Sequence, residues 1–168
     1  LGFGSGLLMS TGKAVTGTMG PQGPNSSFSE ITTPFSLPGD AALAAIAGEQ
    51  PSDLYDAVVL EFDFIPQSDS VKFNYVFASE EYNNFVNTIY NDIFAFILSG
   101  VTTPLPATNI AIVPGTGTPG LPVAIENINN GNAAGISSGP CNNCTYFRDN
   151  YNGSINIAYD GLTTVLTA

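Results

Sequence analysis

A chain of 168 residues with 14 acids, only Lys13, Lys72 and Arg148 as bases, no histidine and a formal charge of −11 has size enough for a buried core, but almost nothing to neutralise a phosphate backbone. Nucleic acid is therefore excluded as a partner. The missing histidine also removes Ser-His-Asp and Cys-His nucleophile systems, the usual neutral base and the commonest zinc ligand.

A hydrophobic share of 43% argues against disorder. Short β-branched or aromatic runs punctuated by Gly, Pro, Asn, Ser and Thr predict an all-β domain. In chain order, Gly6 to Ser10 reads as a first strand. Thr16 to Pro24 is a loop, because Pro21 and Pro24 lack donors and the glycines carry no packing side chain. Asp40 is placed as an N-cap before the one short helix, residues 41–47, with Gly48 as its C-cap.

Val58, Leu60, Phe62 and Phe64 alternate with Val59, Glu61 and Asp63, which predicts a strand over 57–64. After the turn Ile65 to Ser70, a second alternation of Val71, Phe73, Tyr75 and Phe77 predicts strand 71–78, paired with the first as an antiparallel hairpin. Residues 92–98 read as a further strand, with Ile93 to Leu98 apolar on both faces, as a buried strand would be. Strands over 110–113, 123–128, 155–159 and 163–167 complete the set. The Asn- and Gly-rich stretch 127–152 is a long loop, and a local disulfide between Cys141 and Cys144 would staple it. A single C-x-x-C lacks the second ligand pair that structural zinc needs.

Between strands 71–78 and 92–98 the polarity changes sharply. Glu80, Glu81, Asn84, Asn91 and Asp92 concentrate oxygen donors where the backbone turns, which is either a solvated turn or a site for a hard cation. Calcium suits it, taking roughly six to eight oxygens from carboxylates, carboxamides and carbonyls. The spacing is not that of an EF-hand, and Glu80 and Glu81 would point oppositely if extended. Asp160, in an Asp-Gly turn, joins as a further ligand candidate. A second acid set, Asp53, Asp56, Glu61 and Asp63, reads as solvated.

No apolar run approaches the length of a membrane span. Few charges, abundant Thr and Asn, and two close cysteines suit an extracellular compartment. Asn25, Asn143 and Asn152 match the N-glycosylation pattern. A start at Leu1, without initiator Met or signal peptide, reads as a processed protein or a piece of a longer one.

Phe77-Ala-Ser-Glu-Glu-Tyr82, followed by Asn91-Asp-Ile-Phe-Ala-Phe-Ile-Leu-Ser-Gly100, resembles the choice-of-anchor L domain of bacterial surface and secreted proteins. Gly6 to Gly12, Ala57 to Phe64, Asn109 to Thr116 and Tyr159 to Ala168 fall in the order expected of that family, so the resemblance spans nearly the whole chain. It implies a β-rich extracellular module in adhesin-like proteins, with no catalytic activity carried over. Members usually continue into further strands beyond the equivalent of Thr163 to Ala168.

The expectation is thus one domain over residues 1–168, a jelly-roll-like β-sandwich with one short helix, lacking its last strands or completed by a neighbouring chain. Its function would be adhesion or assembly on a bacterial surface, with bound calcium and with other chains, including copies of itself, as partners through strand addition. Two alternatives remain open: a carbohydrate-active hydrolase using paired carboxylates, and a calcium-dependent domain binding peptide or glycan.

Overall fold

The computed structural model describes residues 1–12, 35–82, 84–100, 105–131 and 139–168. The expected loop from Thr16 to Pro24 and the Asn25 glycosylation pattern lie outside the described residues.

The helix forms where its caps place it. In α1, Ala41–Ala47, the Asp40 carboxylate accepts from the N–H groups of Ala42 and Leu43, both at 2.9 Å. Gly48 ends it in the left-handed region with φ 78, a conformation that costs glycine little. Seven residues are too few to be stable in isolation, and the helix is held by packing around its buried Ala44.

Among the described residues nine strands follow: β1 Asn74–Tyr75, β2 Ala78–Ser79, β3 Ile93–Phe94, β4 Ile97–Leu98, β5 Thr108–Asn109, β6 Val123–Ala124, β7 Phe147–Asp149, β8 Gly161–Thr163 and β9 Leu166–Thr167. All pairing among them is antiparallel: β1 with β9, β2 with β8 and β8 with β7, β3 with β6, and β4 with β5. The chain is therefore β-rich with one short helix.

The expected hairpin between 57–64 and 71–78 is not formed. Residues 73–79 instead take the C-terminal segment as partner, with Asn74 opposite Thr167, Tyr75 opposite Leu166 and Ser79 opposite Gly161. Phe73 and Ala168 exchange both backbone hydrogen bonds, at 3.0 and 2.9 Å. Alternation identifies an apolar face but not the strand that will lie beside it, and here the burial of Tyr75 with Leu166 decides the partner. Val58, Leu60, Phe62 and Phe64 remain exposed.

Residues 6–10 and 155–159 also lie outside the ladders. In the second case the buried Asn150 carboxamide donates to the carbonyls of Ile157 and Tyr159, both at 2.9 Å, and replaces a ladder with a side-chain clasp. The expected strand over 163–167 is broken into β8 and β9, where Thr164 N–H turns to the carbonyl of Tyr146.

Two apolar clusters form the core. Tyr75, Ala111, Val113, Val123, Ile128 and Leu166 make the larger one; Tyr82, Val86 and Ile125 make the smaller, with Phe77 and Phe147 packed against both. Tyr75 stands between Phe94 and Phe96 with ring centroids at 5.0 and 5.2 Å. Such aromatic contacts add about 0.5–1.5 kcal/mol per pair beyond the area they bury.

Tyr82 reaches this core by lying directly on Gly161. A Cβ at residue 161 would stand 2.7 Å from Tyr82 Cβ and 2.7 Å from the Phe147 ring. Neither can retreat without disturbing the smaller cluster. Gly161→Ala should therefore destabilise the protein by about 1–3 kcal/mol through overpacking, read as a lower denaturant midpoint with an unchanged slope.

Candidate functional site

The end of β2 and the turn before β8 meet because Ser79 and Gly161 are register partners. That pairing carries Glu80 to Asp160 across a long stretch of chain. Asp160 is 3% exposed, and Asn84 Nδ2 donates to its Oδ2 at 3.0 Å. The backbone N–H of Asp160 donates to the Glu80 carboxylate, while Glu80 Oε2 is buried without a hydrogen-bond partner.

Glu81 turns the other way. Ser79 Oγ accepts from the Glu81 N–H at 2.9 Å and donates to Asp92 Oδ2 at 2.6 Å, so Ser79 fixes both the turn and the second carboxylate. The opposed directions expected of adjacent residues thus separate the acids into two pairs, Glu80 with Asp160 and Glu81 with Asp92. Among the described residues no group of three or more His, Cys, Asp and Glu side chains is arranged to hold a metal ion. Asn91 is placed beside these pairs but turned to structure, its Oδ1 accepting from the Glu126 N–H at 3.4 Å.

Burial dominates the electrostatics. It pushes Glu80 up to about 7, with the neighbouring Asp160 charge adding to the shift and the Asp160 N–H opposing it. Burial raises Glu81 to about 7 as well, with repulsion from Asp92 second. Asp92 is itself raised by burial, against the hydrogen bond from Ser79. Among the described residues no lysine or arginine acts on these three carboxyl groups. Each must gain a proton or a cation, because an unpaired buried carboxylate is the costlier state.

The intervening loop is built to keep this arrangement. Tyr82 and Val86 anchor it with 0% exposure, and Glu126 Oε1 accepts from the Asn87 N–H at 2.6 Å. Residues 126–129 are in turn fastened to the turn carrying Cys141 and Cys144. These cysteines form a disulfide, Cα–Cα 5.7 Å. Asn142 and Asn143 donate to the carbonyls of Glu126 and Asn127 at 2.9 and 2.8 Å.

Sequence reasoning passed over two residues here. Ser79 was visible only as a hydroxyl two residues before Glu81, the spacing of a side-chain-capped turn. Glu126 carries no local signal, since its partner is Asn87. Of the second acid set, Glu61 and Asp63 are exposed. Asp56 has a structural task instead, accepting from the N–H groups of Phe35 and Leu37.

The raised carboxyls give a sign to the pH dependence. Between about 4.5 and about 7 the folded protein holds protons on Glu80 and Glu81 that the unfolded chain has released, so stability falls as pH rises through that window. In the presence of a chelator, the thermal midpoint should be higher near pH 5 than near pH 8, and the Glu80→Gln, Glu81→Gln double variant should flatten the difference.

Among the described residues no helix is long and apolar enough to cross a membrane. No curated protein and no solved structure matches the chain. The Choice-of-anchor L domain model matches residues 1–168, the whole sequence, including the Ser79-Glu80-Glu81-Tyr82 corner around which the carboxylate pairs are organised. The chain belongs to the choice-of-anchor L domain family, a membership that points to a surface-associated bacterial module.

Proposed function

We propose that this is a non-catalytic adhesion or assembly module of an extracellular bacterial surface protein, a jelly-roll-type sandwich whose acidic corner is stabilised by calcium. One observation carries the calcium reading: the carboxyls of Glu80, Glu81 and Asp92 are drawn into the fold with no basic side chain among the described residues acting on them, and Glu80 Oε2 is buried without a hydrogen-bond partner. A hard divalent cation satisfies such oxygens better than a proton at neutral pH. Glu80, Asp160 and the carboxamide of Asn84 would supply one side of the ion's shell. Glu81, Asp92 and Asn91 stand within the same corner, and backbone carbonyls complete a calcium shell in many loops.

The paired-carboxylate hydrolase reading draws on the same residues, since burial and the neighbouring Asp160 keep Glu80 protonated to higher pH than an ordinary carboxyl, as a general acid requires. The fixed tasks of the surrounding groups favour the ion. Asn84 is committed to Asp160 and Ser79 to both Asp92 and the Glu81 N–H, which locks the carboxylates to one another.

Binding to the native state raises stability by mass action, about 2.7 kcal/mol at a hundredfold excess over Kd. Thermal melts near pH 7.5 should therefore move upward with excess calcium and return with chelator. The Glu80→Gln, Glu81→Gln double variant should lose most of that movement while melting higher than the parent in chelator. A midpoint indifferent to calcium would remove the metal from this reading.

A further inference from the structure

Between the 3-10 turn at Pro51–Asp53 and β1 lies the longest stretch of the described chain whose polarity is inverted. Val58, Val59, Leu60, Phe62, Phe64 and Ile65 are between 40% and 84% exposed. Phe62 and Phe64 lie with ring centroids 6.1 Å apart. No backbone hydrogen bond joins residues 58–64 to another described residue. Unpaired backbone with alternating apolar side chains is the template that strand addition uses.

A second exposed apolar segment, residues 6–10, has the complementary character. Leu7 is 74% exposed, Leu8 56% and Met9 38%, and residues 1–12 contain no charged side chain. Its five residues match a typical strand length of about 5–6. Within its own chain the start of the sequence meets the C-terminal part. Ser10 Oγ is 3.4 Å from the Tyr159 hydroxyl, and a Cβ at Gly2 would stand 2.9 Å from Val165 Cγ2.

Charge decides what occupies the 58–64 edge. An antiparallel self-pair that overlaps the edge fully and matches its apolar faces sets Glu61 opposite Glu61. Like charges directly opposite destabilise a ladder. The neutral 6–10 segment brings no such repulsion and offers Leu7, Leu8 and Met9 to the apolar side chains.

We infer that residues 6–10 of a second copy of this chain add as a strand to the 58–64 edge, joining copies head to tail. This rests on the assembly reading above and specifies its surface and partner. The contact is heterologous, because the donor and acceptor segments differ, so any open assembly retains one free donor at one end and one free acceptor at the other and grows into an open chain or closes as a ring. A single strand buries less than the standard interface of about 800 Å² per partner, so association is concentration-dependent.

The test uses the disulfide-bonded protein in excess calcium. Light scattering should show mass rising with concentration, and Leu60→Asp should reduce association at least tenfold while leaving the circular dichroism and the thermal midpoint unchanged, because Leu60 is exposed. Mixing a Leu8→Cys protein with a Leu60→Cys protein under mild oxidation should give an 8–60 cross-link several-fold above the 60–60 cross-link. Mass that stays monomeric at every soluble concentration overturns the inference. Concentration-dependent association with 60–60 cross-links dominant, or without any at residue 60, overturns this surface and leaves the assembly reading standing.

Discussion

The antiparallel pairing of residues 73–79 with residues 161–168 is the constraint on which the rest depends. It buries Tyr75 against Leu166, sets Thr163 N–H on the carbonyl of Phe77 at 2.8 Å, and lays Tyr82 on the bare backbone of Gly161. The same register places Asp160 beside Glu80. A slip of one residue would turn Leu162, 0% exposed, to the opposite face and separate the two carboxyls. Core packing and the acidic corner are therefore set by one alignment.

That coupling explains how the carboxyls come to be buried at all. Burying an unpaired acid is unfavourable by several kcal/mol in real proteins, and nothing local to Glu80-Glu81 forces it. The force comes from Tyr82 and Val86, whose apolar surface draws the following loop inward and takes the acids with it. Ser79 then lowers the cost for Asp92 by hydrogen bonding, and Asp160 N–H does so for Glu80. Glu126 and the Cys141–Cys144 turn fix the far side of the loop, so its geometry does not relax outward to rehydrate the charges.

What was legible in the sequence follows from how local each signal is. The helix was readable to the residue, since Asp40 and Gly48 act within one turn of it. The alternation of Phe73, Tyr75 and Phe77 correctly marked a core-facing edge, because period-two patterning is a property of one strand alone. The partner of that edge was not readable, since the segment that pairs with it lies some ninety residues further along the chain. Glu80 and Asp92 could be singled out as acids at a turn, and Asp160 as a candidate, but their grouping into two pairs depends on the same long-range register. Asn150 and Glu126 gave no signal, because an Asn or Glu that satisfies distant backbone groups looks like any loop residue.

The molecule thus departs from ordinary polarity in two opposite ways. Among the described residues, acids lie inside without countercharges and an apolar segment lies outside without a ladder. Each departure is unfavourable in the isolated chain, and on the readings proposed above a different ligand would relieve each: a cation the buried oxygens, a neutral strand the exposed edge. The two are also linked through β1. Residues 58–65 lead by a short turn into the strand whose pairing with β9 fixes the acidic corner. A cation that rigidifies the corner holds β1 and therefore the root of the exposed edge, so less ordering remains for an incoming strand to supply. On the reading proposed above, calcium at the corner would therefore favour strand addition at the edge, and its removal would leave the edge with more ordering to pay for on association.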